Sequence, residues 1–487
     1  MFDSSPTTLF ERFQASLGGP DALETLRSGL IGKDMPLAGP FGPKPILYCD
    51  YTASGRALLQ TERFVLEEVL PWYANSHTEA SHCGARMTEM RRAARALVAR
   101  SCGAGPEHAV IFCGSGATAG INRLVHLFGI AAAAARGERP LVLIGPYEHH
   151  SNILPWRESG AEVRQLPEAE GGGPDLAALD AALAGAAGRL VVGAFSAASN
   201  VTGARTDVAE VTRRLRAAGA KSVWDYAAGG PYLPIAMTPD AGAELDAIVL
   251  SPHKFVGGPA SSGVLIVRRD AVVTERPSWP GGGTVKFVSP EGHDYSDCLE
   301  AREEAGTPNV IGDIRTALAF AVKEAAGLDR IAARGAALRD MAIAAFAAEP
   351  RIELLGNPGG DSLPILSFRV RDTEGHLVHH QFVTRLLSDL HGVQVRGGCA
   401  CAGPYVHDLL GIDAEASEHM RRAILEGRET EKPGFVRMNL SYLLTDEEAT
   451  RAIGAVLDVA RRAPSLLPAY DVDPACAIFR PKRMDAA

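Results

Sequence analysis

Short apolar runs alternate with helix-like segments between about residues 105 and 270. The segments between several runs, such as residues 175–187 and 208–219, are rich in Ala and Leu at helical spacing. The runs are AVIFCG (109–114), PLVLIG (140–145), RLVVGAFS (189–196), KSVWDYA (221–227), DAIVLS (246–251) and SGVLIVRR (262–269). This alternation predicts βα units and a mostly parallel sheet. Ligands of such sheets bind beyond the carboxyl ends of the strands, so the residues after each run are the first candidates for chemistry.

The first run leads into GSGATAGIN (114–122), a set of small residues that would open a helix. Small residues at a helix start expose backbone N–H groups to an anion, and the helix dipole favours that charge. We expect Gly116, Ala117 and Thr118 to hold a phosphate. Two other interpretations stay open for this segment: a dinucleotide site in which Glu148 binds a ribose, and a tight turn without a ligand.

Four later runs each end in a residue that suits an aromatic cofactor. His149 offers a flat imidazole that could lie against a ring, and Asn200 could donate to a phenolate oxygen. Asp225 leaves an apolar strand and needs a cationic partner, such as a protonated pyridine nitrogen, because burial alone favours the neutral acid. Lys254, in SPHKFVGG, offers an amine that can form a Schiff base with an aldehyde.

Taken together, these groups match the chemical features of pyridoxal 5′-phosphate. The cofactor has a phosphate, a flat ring, a phenolate oxygen, a ring nitrogen and an aldehyde, and proteins hold it with a Schiff-base lysine and an acid at the ring nitrogen. A dinucleotide would explain the glycines and Glu148 but would leave Asp225 and Lys254 without a role. The sequence therefore predicts pyridoxal 5′-phosphate as the cofactor.

Collinear motifs extend this prediction to a family. The chain resembles the class V, fold-type I pyridoxal-phosphate-dependent aminotransferases, and most closely their cysteine desulfurase and selenocysteine lyase branch. The resemblance covers roughly residues 46–445 and rests on ILYCDYTASG, GSGATAGIN, EHHSNILPW, SNVTG, WDYAAG, SPHKFVGG, EAGTPN and VRGGCACAGP, in that order. It implies an α/β fold with a large domain, whose mostly parallel sheet is flanked by helices, and a smaller C-terminal α/β domain. We expect an N-terminal arm at 1–45, the large cofactor domain at 46–325 and the small domain at 326–487.

The resemblance also implies roles for individual residues. Lys254 would carry the cofactor and move protons, and Asp225 would pair with the ring nitrogen. Ser251 and His253 would join the phosphate-binding residues, and Thr307 would reach the phosphate site of a partner subunit, so a homodimer is expected. Arg437 would bind the substrate carboxylate, supported by Arg396; a planar guanidinium suits such a partner, although either arginine could instead form an ordinary salt bridge.

The resemblance assigns the nucleophile to one cysteine. The signature R-x-G-x-x-C-A-x-P is met by Arg396, Gly398, Cys401, Ala402 and Pro404, which makes Cys401 the group that would accept sulfur. The alternative interpretation is a buried structural thiol.

This sequence departs from the family pattern at three positions. Cys399 and Ala400 stand where the family has two histidines, and Ala228 stands where it has a glutamine. Cys399 could resolve a persulfide or a disulfide; a metal site here is weakly supported, because no matching Cys or His pair lies at a suitable spacing.

The composition restricts the class of protein. The chain has 487 residues, which predicts at least two domains, and a net charge of −9, which argues against nucleic-acid binding. No apolar run is long enough for a membrane span, and the amino terminus has no apolar signal core, so a cytoplasmic protein is expected. Eight cysteines in a chain of this length do not predict a disulfide scaffold.

The predicted reaction is removal of sulfur from cysteine, or of selenium from selenocysteine, to give alanine through a persulfide on Cys401. A sulfur-acceptor protein would be a further partner. Three alternatives stay open: an aminotransferase that needs only Lys254, a β-lyase that needs no thiol, and a non-catalytic dimeric partner that keeps the fold.

Overall fold

The computed structural model of this chain describes residues 5–76 and 78–482. Its α-helices are α1 Pro6–Leu17, α2 Ala22–Ser28, α3 Leu59–Phe64, α4 His82–Ser101, α5 Gly116–Leu127, α6 Ile130–Ala135, α7 Leu154–Glu158, α8 Leu176–Ala184, α9 Val208–Ala217, α10 Leu299–Glu303, α11 Val310–Ala326, α12 Leu328–Ala347, α13 His380–His391, α14 Gly403–Leu410, α15 Ala414–Leu425 and α16 Asp446–Leu466. Its strands are β1 Pro36–Leu37, β2 Lys44–Pro45, β3 Leu47–Tyr48, β4 His108–Cys113, β5 Leu141–Ile144, β6 Glu162–Gln165, β7 Val191–Ser196, β8 Lys221–Asp225, β9 Ala247–Leu250, β10 Gly263–Arg268, β11 Val285–Val288, β12 His293–Tyr295, β13 Ile352–Leu354, β14 Ile365–Arg371, β15 Leu377–Val378, β16 Val393–Gln394, β17 Arg396–Gly398, β18 Phe435–Asn439, β19 Tyr470–Asp473 and β20 Ile478–Pro481.

The described residues fall into two compact units. The first unit lies within Met1–Ile31, Ser54–Ala198 and Arg205–Ala332, and the second within Gly32–Ala53, Ser199–Ala204 and Ala333–Ala487. These units differ from the predicted domains in several respects. Residues 32–53, which span the end of the predicted arm and the start of the predicted large domain, belong to the second unit, as does the short segment Ser199–Ala204. The first unit extends to Ala332, beyond the predicted bound at residue 325. The predicted domain bounds themselves stay a prediction.

The first unit is built on a seven-stranded sheet in the order β4-β10-β9-β8-β7-β5-β6. Within this sheet, β10 runs antiparallel to its neighbours β4 and β9, and the other neighbouring strands pair in parallel. The sheet core is formed by apolar side chains from β4, β5, β7, β8, β9 and β10 together with α5. The prediction of a mostly parallel sheet flanked by helices is confirmed.

Each of the six predicted runs forms a strand, and the two predicted helices are α8 and α9. The edge strand β6 was not predicted, because its residues, Glu162–Gln165, are mostly polar and only partly buried. Among the residues that the structure describes, no helix is both long and apolar enough to cross a membrane.

The second unit contains an antiparallel sheet in the order β13-β14-β18-β17, with β15 paired to β14. Buried residues of α13 and α16 pack with this sheet in one apolar cluster. The two-residue strand β3 pairs in parallel with β16, and the amide of Cys49 donates to the carbonyl of Gln394 at 2.8 Å. This pairing brings the segment around Cys49 and Asp50 beside β17 and β18, although it lies more than 300 residues earlier in the chain.

Candidate active site

The predicted phosphate-binding residues of the first unit lie at the start of α5, directly after β4. Gly116 has a φ of +61°, which favours glycine, and a Cβ there would lie 2.6 Å from the Ser251 Oγ and 3.2 Å from the His253 Cε1. The Ala117 amide donates to the Ser251 Oγ at 3.0 Å. The structure thus brings Gly116, Ala117, Ser251 and His253 together at a helix N-terminus, an arrangement that suits a phosphate.

Lys254 lies in a 3₁₀ turn, Pro252–Lys254, that follows β9. The Lys254 amide donates to the Ser251 carbonyl at 3.0 Å, and the Gly55 amide donates to the His253 carbonyl at 2.9 Å. Burial lowers the pKa of His253 to about 4, and the nearby Lys254 charge adds to this effect. His253 is therefore neutral at pH 7 and can offer a phosphate an N–H donor without a positive charge.

Asp225 ends β8 and is 4% exposed. Burial raises its pKa, whereas the hydrogen bond from the Ala227 amide, at 2.7 Å, and the charge of Lys254 act in the opposite direction. A cationic N–H near this carboxylate would favour the ionised form, as the protonated ring nitrogen of a pyridine does. Ala228, which stands where the resemblance implies a glutamine, is buried just beyond this strand.

His149 is oriented by the residue two positions later. Its Nδ1 lies 3.0 Å from the Ser151 Oγ and accepts a hydrogen bond from the Ser151 amide at 3.1 Å. The same Ser151 Oγ lies 2.7 Å from the hydroxyl of Thr118, which is exposed at the start of α5. A hydrogen-bonded chain therefore links Thr118 of the phosphate site to the imidazole that is predicted to lie against the ring.

Glu148, considered in the sequence as a ribose-binding acid, is instead 2% exposed and fully hydrogen bonded inside the first unit. It accepts from Asn152 at 2.6 Å, from the Ser196 hydroxyl at 2.6 Å and from the Ser196 amide at 2.8 Å. Burial raises its pKa to about 7, and the charge of Asp225 contributes in the same direction. Glu148 thus ties the end of β7 to the segment that carries His149.

The second unit holds the two predicted substrate-binding arginines on paired strands. Arg396 of β17 lies opposite Arg437 of β18, and both bind the carboxylate of Asp50. The Asp50 Oδ1 lies 3.0 Å from the Arg437 Nη2, and the Asp50 Oδ2 lies 3.1 Å from the Arg396 Nε. Arg437 is buried, whereas the Arg396 side chain is 57% exposed. Burial lowers the pKa of Arg437, and Asp50 opposes that shift.

Asn200 connects Arg437 to the cysteine segment. Its carbonyl accepts a hydrogen bond from the Arg437 Nη1 at 3.0 Å, and its side-chain amide donates to the Ala400 carbonyl at 2.7 Å. Within the described part of the chain, the buried Asn200 Oδ1 and Arg437 Nε have no hydrogen-bond partner. The Arg437 Nε is therefore a buried donor left for a ligand, and a carboxylate is a group that accepts from such a donor.

The cysteine segment, residues 399–402, forms a hydrogen-bonded turn that leads into α14. The Ala402 amide donates to the Cys399 carbonyl at 3.2 Å, and the two central residues, Ala400 and Cys401, have φ of +49° and +55°. Cys401 is exposed and Cys399 half-buried, and all eight cysteines of the chain are free thiols. The exposure of Cys401 does not fit the alternative interpretation of a buried structural thiol.

Thr307, predicted to reach a partner subunit, lies in the first unit between α10 and α11 and is exposed. The segment that precedes it contains the hairpin of β11 and β12. Within residues 5–76 and 78–482, no group of three or more His, Cys, Asp and Glu side chains is arranged to hold a metal ion.

Sequence reasoning missed the role of Asp50. The residue lies in ILYCDYTASG, which contributed to the resemblance, but no local pattern connects it with arginines 346 and 387 positions later. A single acid at the end of an apolar segment, followed by small and polar residues, was the one signal available. The same signal had identified Asp225.

These residues fit pyridoxal 5′-phosphate. The Gly116 position leaves open the space that a Cβ would fill beside Ser251, and the buried Asp225 carboxylate is of the kind that a protonated ring nitrogen would balance. Lys254 interacts electrostatically with Asp225, so an amine and an acid occur together in the first unit.

Comparison with known proteins places these observations in a family. The family model described as Aminotransferase class-V matches residues 47–449. A cysteine desulfurase of Enterobacter sp. (strain 638) is 33% identical over 367 residues, which cover 74% of this chain and 85% of that protein. A probable cysteine desulfurase of Vibrio cholerae is 31% identical over 425 residues, which cover 85% of this chain and 93% of that protein.

Solved structures confirm the fold. A cysteine desulfurase from Thermococcus onnurineus NA1 matches with a TM-score of 0.70 and 24% identity, over 85% of this chain and 94% of that chain. The cysteine desulfurase CsdA from Escherichia coli matches with a TM-score of 0.69 and 24% identity, over 90% of this chain and 98% of that chain. The predicted fold-type I α/β architecture is thus confirmed, and the chain belongs to the class V aminotransferase family.

Proposed function

We propose that this protein is a pyridoxal 5′-phosphate-dependent cysteine desulfurase that converts L-cysteine to alanine and receives the sulfur on Cys401. The observation that carries the proposal is the link through Asn200, which contacts both Arg437 and the turn of Cys401. Arg437, which would bind an α-carboxylate, and the exposed thiol of Cys401 therefore belong to one hydrogen-bonded structure of the second unit. The names of relatives at 31–33% identity support the same reaction.

The first unit would hold the cofactor. Gly116, Ala117, Thr118, Ser251 and His253 would bind its phosphate. His149 would lie against its ring, and Asn200 would contact its phenolate oxygen. Asp225 would keep the ring nitrogen protonated, and Lys254 would bind the aldehyde carbon. When bound, the cofactor supplies a covalent attachment for the substrate amine and a ring that accepts the electron pair released at Cα.

The protein's own groups would perform the remaining steps. Lys254 would take the Cα proton of the substrate, while Arg437, with Arg396, would bind its carboxylate in a charge-assisted pair. The Cys401 thiolate would then attack the γ-sulfur of the substrate, because the thiolate and not the thiol is the nucleophile. The new S–S bond forms as the Cβ–S bond breaks, and protonation of the remaining carbon skeleton gives alanine and a persulfide on Cys401.

The proposal includes a homodimer in which Thr307 completes the phosphate site of the partner subunit. Its exposure and its position after the β11–β12 hairpin are compatible with such a contact. Subunits carrying Lys254→Ala, mixed with subunits carrying Thr307→Ala, should regain part of the activity that each lacks alone. Full activity of a monomer in sedimentation would contradict the shared site. A sulfur-acceptor protein and a cytoplasmic location complete the proposal.

The decisive experiment replaces Cys401 by serine. A serine hydroxyl stays protonated near pH 7, so Cys401→Ser should bind the cofactor and cysteine but form alanine at least about 100-fold more slowly. Cys476→Ser, which removes an exposed thiol elsewhere in the second unit, is the matched control and should keep normal turnover.

A panel of amino acids, with alanine, sulfide and keto acid measured in parallel, identifies the reaction. Full turnover of Cys401→Ser on its best substrate would replace the proposal with an aminotransferase or a β-lyase.

A further inference from the structure

Two thiols share the turn at residues 399–402. Cys399 is the first residue of this turn and Cys401 the third, and the hydrogen bond from Ala402 to the Cys399 carbonyl closes it. Positive φ at both central residues together with this bond defines a type I′ turn, which normally contains Asn-Gly or Gly-Gly. Here the two positions hold Ala400 and Cys401, so two non-glycine residues occupy the left-handed region in succession.

The surroundings hold this unfavourable backbone in place. The side-chain amide of Asn200 donates to the Ala400 carbonyl, and Asn200 is itself bound by the buried Arg437. Left-handed conformations of non-glycine residues are unfavourable and persist where the surrounding structure imposes them, often at functional sites. The turn is thus held in its conformation by contacts with the carboxylate-binding residues.

This turn keeps the two cysteines close enough for a bond. Cα atoms two residues apart in a turn are separated by about 5 to 6 Å, within the range that disulfides use. Cys401 is exposed and Cys399 half-buried, so the Cys401 thiol is the more accessible of the two to an external reactant. Because the chain tethers Cys399 to Cys401, its effective concentration exceeds that of any thiol free in solution.

We propose that Cys399 is a resolving thiol, which releases the sulfur received by Cys401 as sulfide; this inference rests on the proposed desulfurase function. The Cys399 thiolate attacks the Sγ of Cys401, the Cys399–Cys401 bond forms, and the bond from Cys401 to the outer sulfur breaks. The outer sulfur leaves as HS⁻ and is reduced, while the two cysteine sulfurs are oxidised to a disulfide. A dithiol reductant then returns the pair to two thiols, a step favoured because strained or exposed disulfides are the readily reduced ones.

A single-turnover experiment tests the inference. The prereduced, cofactor-loaded full chain is freed of reductant and mixed anaerobically with less than one equivalent of L-cysteine, so that little free thiol remains. In the wild type, sulfide should equal alanine, and the peptide with Cys399 and Cys401 should have lost two hydrogens and resist alkylation. In Cys399→Ser, alanine should be unchanged, but Cys401 should keep one added sulfur and sulfide should fall at least about tenfold. Cys476→Ser, the matched control, should behave as the wild type.

The outcomes separate this inference from the function on which it rests. Formation of alanine with the added sulfur retained on Cys401 of the wild type would overturn the resolving role and leave the desulfurase proposal intact; it would indicate delivery to an acceptor protein instead. No alanine from the wild type would refute the desulfurase proposal. Diamide oxidation of the holoenzyme followed by peptide mapping then decides whether the pair closes: a Cys399–Cys401 disulfide supports the dithiol, and separate alkylation of both cysteines contradicts it.

Discussion

The two units hold their candidate residues in different ways. In the first unit, the candidate groups follow consecutive strands of one sheet, and Asp225 and Lys254 lie at the ends of the buried strands β8 and β9. In the second unit, the candidate groups come from separated segments that hold Asp50, Asn200, Cys401 and Arg437, and the thiol lies on an exposed turn.

This difference predicts how each site responds to substitution. The sheet fixes the backbone of the first site, so a side chain can be changed there without moving its neighbours, and the effect reports its chemistry. The second site is held by charge pairs and by Asn200, so substitutions there act through position as well as chemistry. We therefore expect abrupt losses in the first unit, and graded losses at the residues that hold the Cys401 thiol and Arg437 in position in the second unit.

The largest effect is expected at Lys254. Lys254→Ala removes both the covalent attachment and the proton carrier, and turnover should fall by about 10³- to 10⁴-fold. The visible absorption band that borohydride abolishes in the wild type should be missing, and peptide mapping of the reduced wild type should find the cofactor on Lys254. Lys221→Ala, at the opposite end of β8, is the control and should keep the label. A label on another lysine would contradict the assignment.

Asp225→Asn should cost about 10²- to 10³-fold in turnover while the cofactor stays bound, because a neutral amide cannot hold the ring nitrogen protonated. The absorption spectrum of the bound cofactor should change as well. The matched control is Asp246→Asn, which alters a buried carboxylate paired with Arg268 at the start of β9. Equal losses in both variants would mean that Asp225 supports the sheet and not the reaction.

Asp50 tests the effect of position in the second unit, because it is expected to hold Arg437 and Arg396 in place without touching the reacting atoms. Asp50→Asn removes the charge that holds Arg437 and Arg396, so kcat/KM should fall by about 10- to 100-fold, mainly through a higher KM. Asp389→Asn breaks a comparable buried pair, with Arg385, in the same unit and should leave KM unchanged. A fall in kcat alone would contradict a positioning role.

The same difference decides what the sequence could predict. The six apolar runs and the residues after them were predictable because strand ends bring chemistry to the edge of a sheet, and Asp225 and Lys254 lie at those ends. The edge strand β6 was missed because its partly exposed polar residues carry no apolar signal.

Tertiary pairing explains what remained hidden in the second unit. Asp50 reaches its arginines through the pairing of β3 with β16, which no local pattern encodes. The left-handed backbone at Ala400 and Cys401 was equally hidden, because neither residue type favours that conformation. The site roles assigned to individual residues stay predictions.

The smallest effect is expected at Glu148, which lies beside the first site. Its pKa is raised by burial to about 7 in the folded protein, above the value of an exposed carboxyl. Between those two values the folded state binds a proton that the unfolded state has lost, so the free energy of unfolding should fall as the pH rises through about 4.5 to 7 and level off above. In Glu148→Gln this contribution is absent. Urea unfolding at pH 5 and pH 8 checks this. The free energy of unfolding of the variant minus that of the wild type should be larger at pH 8 than at pH 5 by roughly 2 kcal/mol. A difference that does not change with pH would show that Glu148 is ionised throughout, held by Asn152 and Ser196 alone, and that the first unit tolerates a buried negative charge next to Asp225.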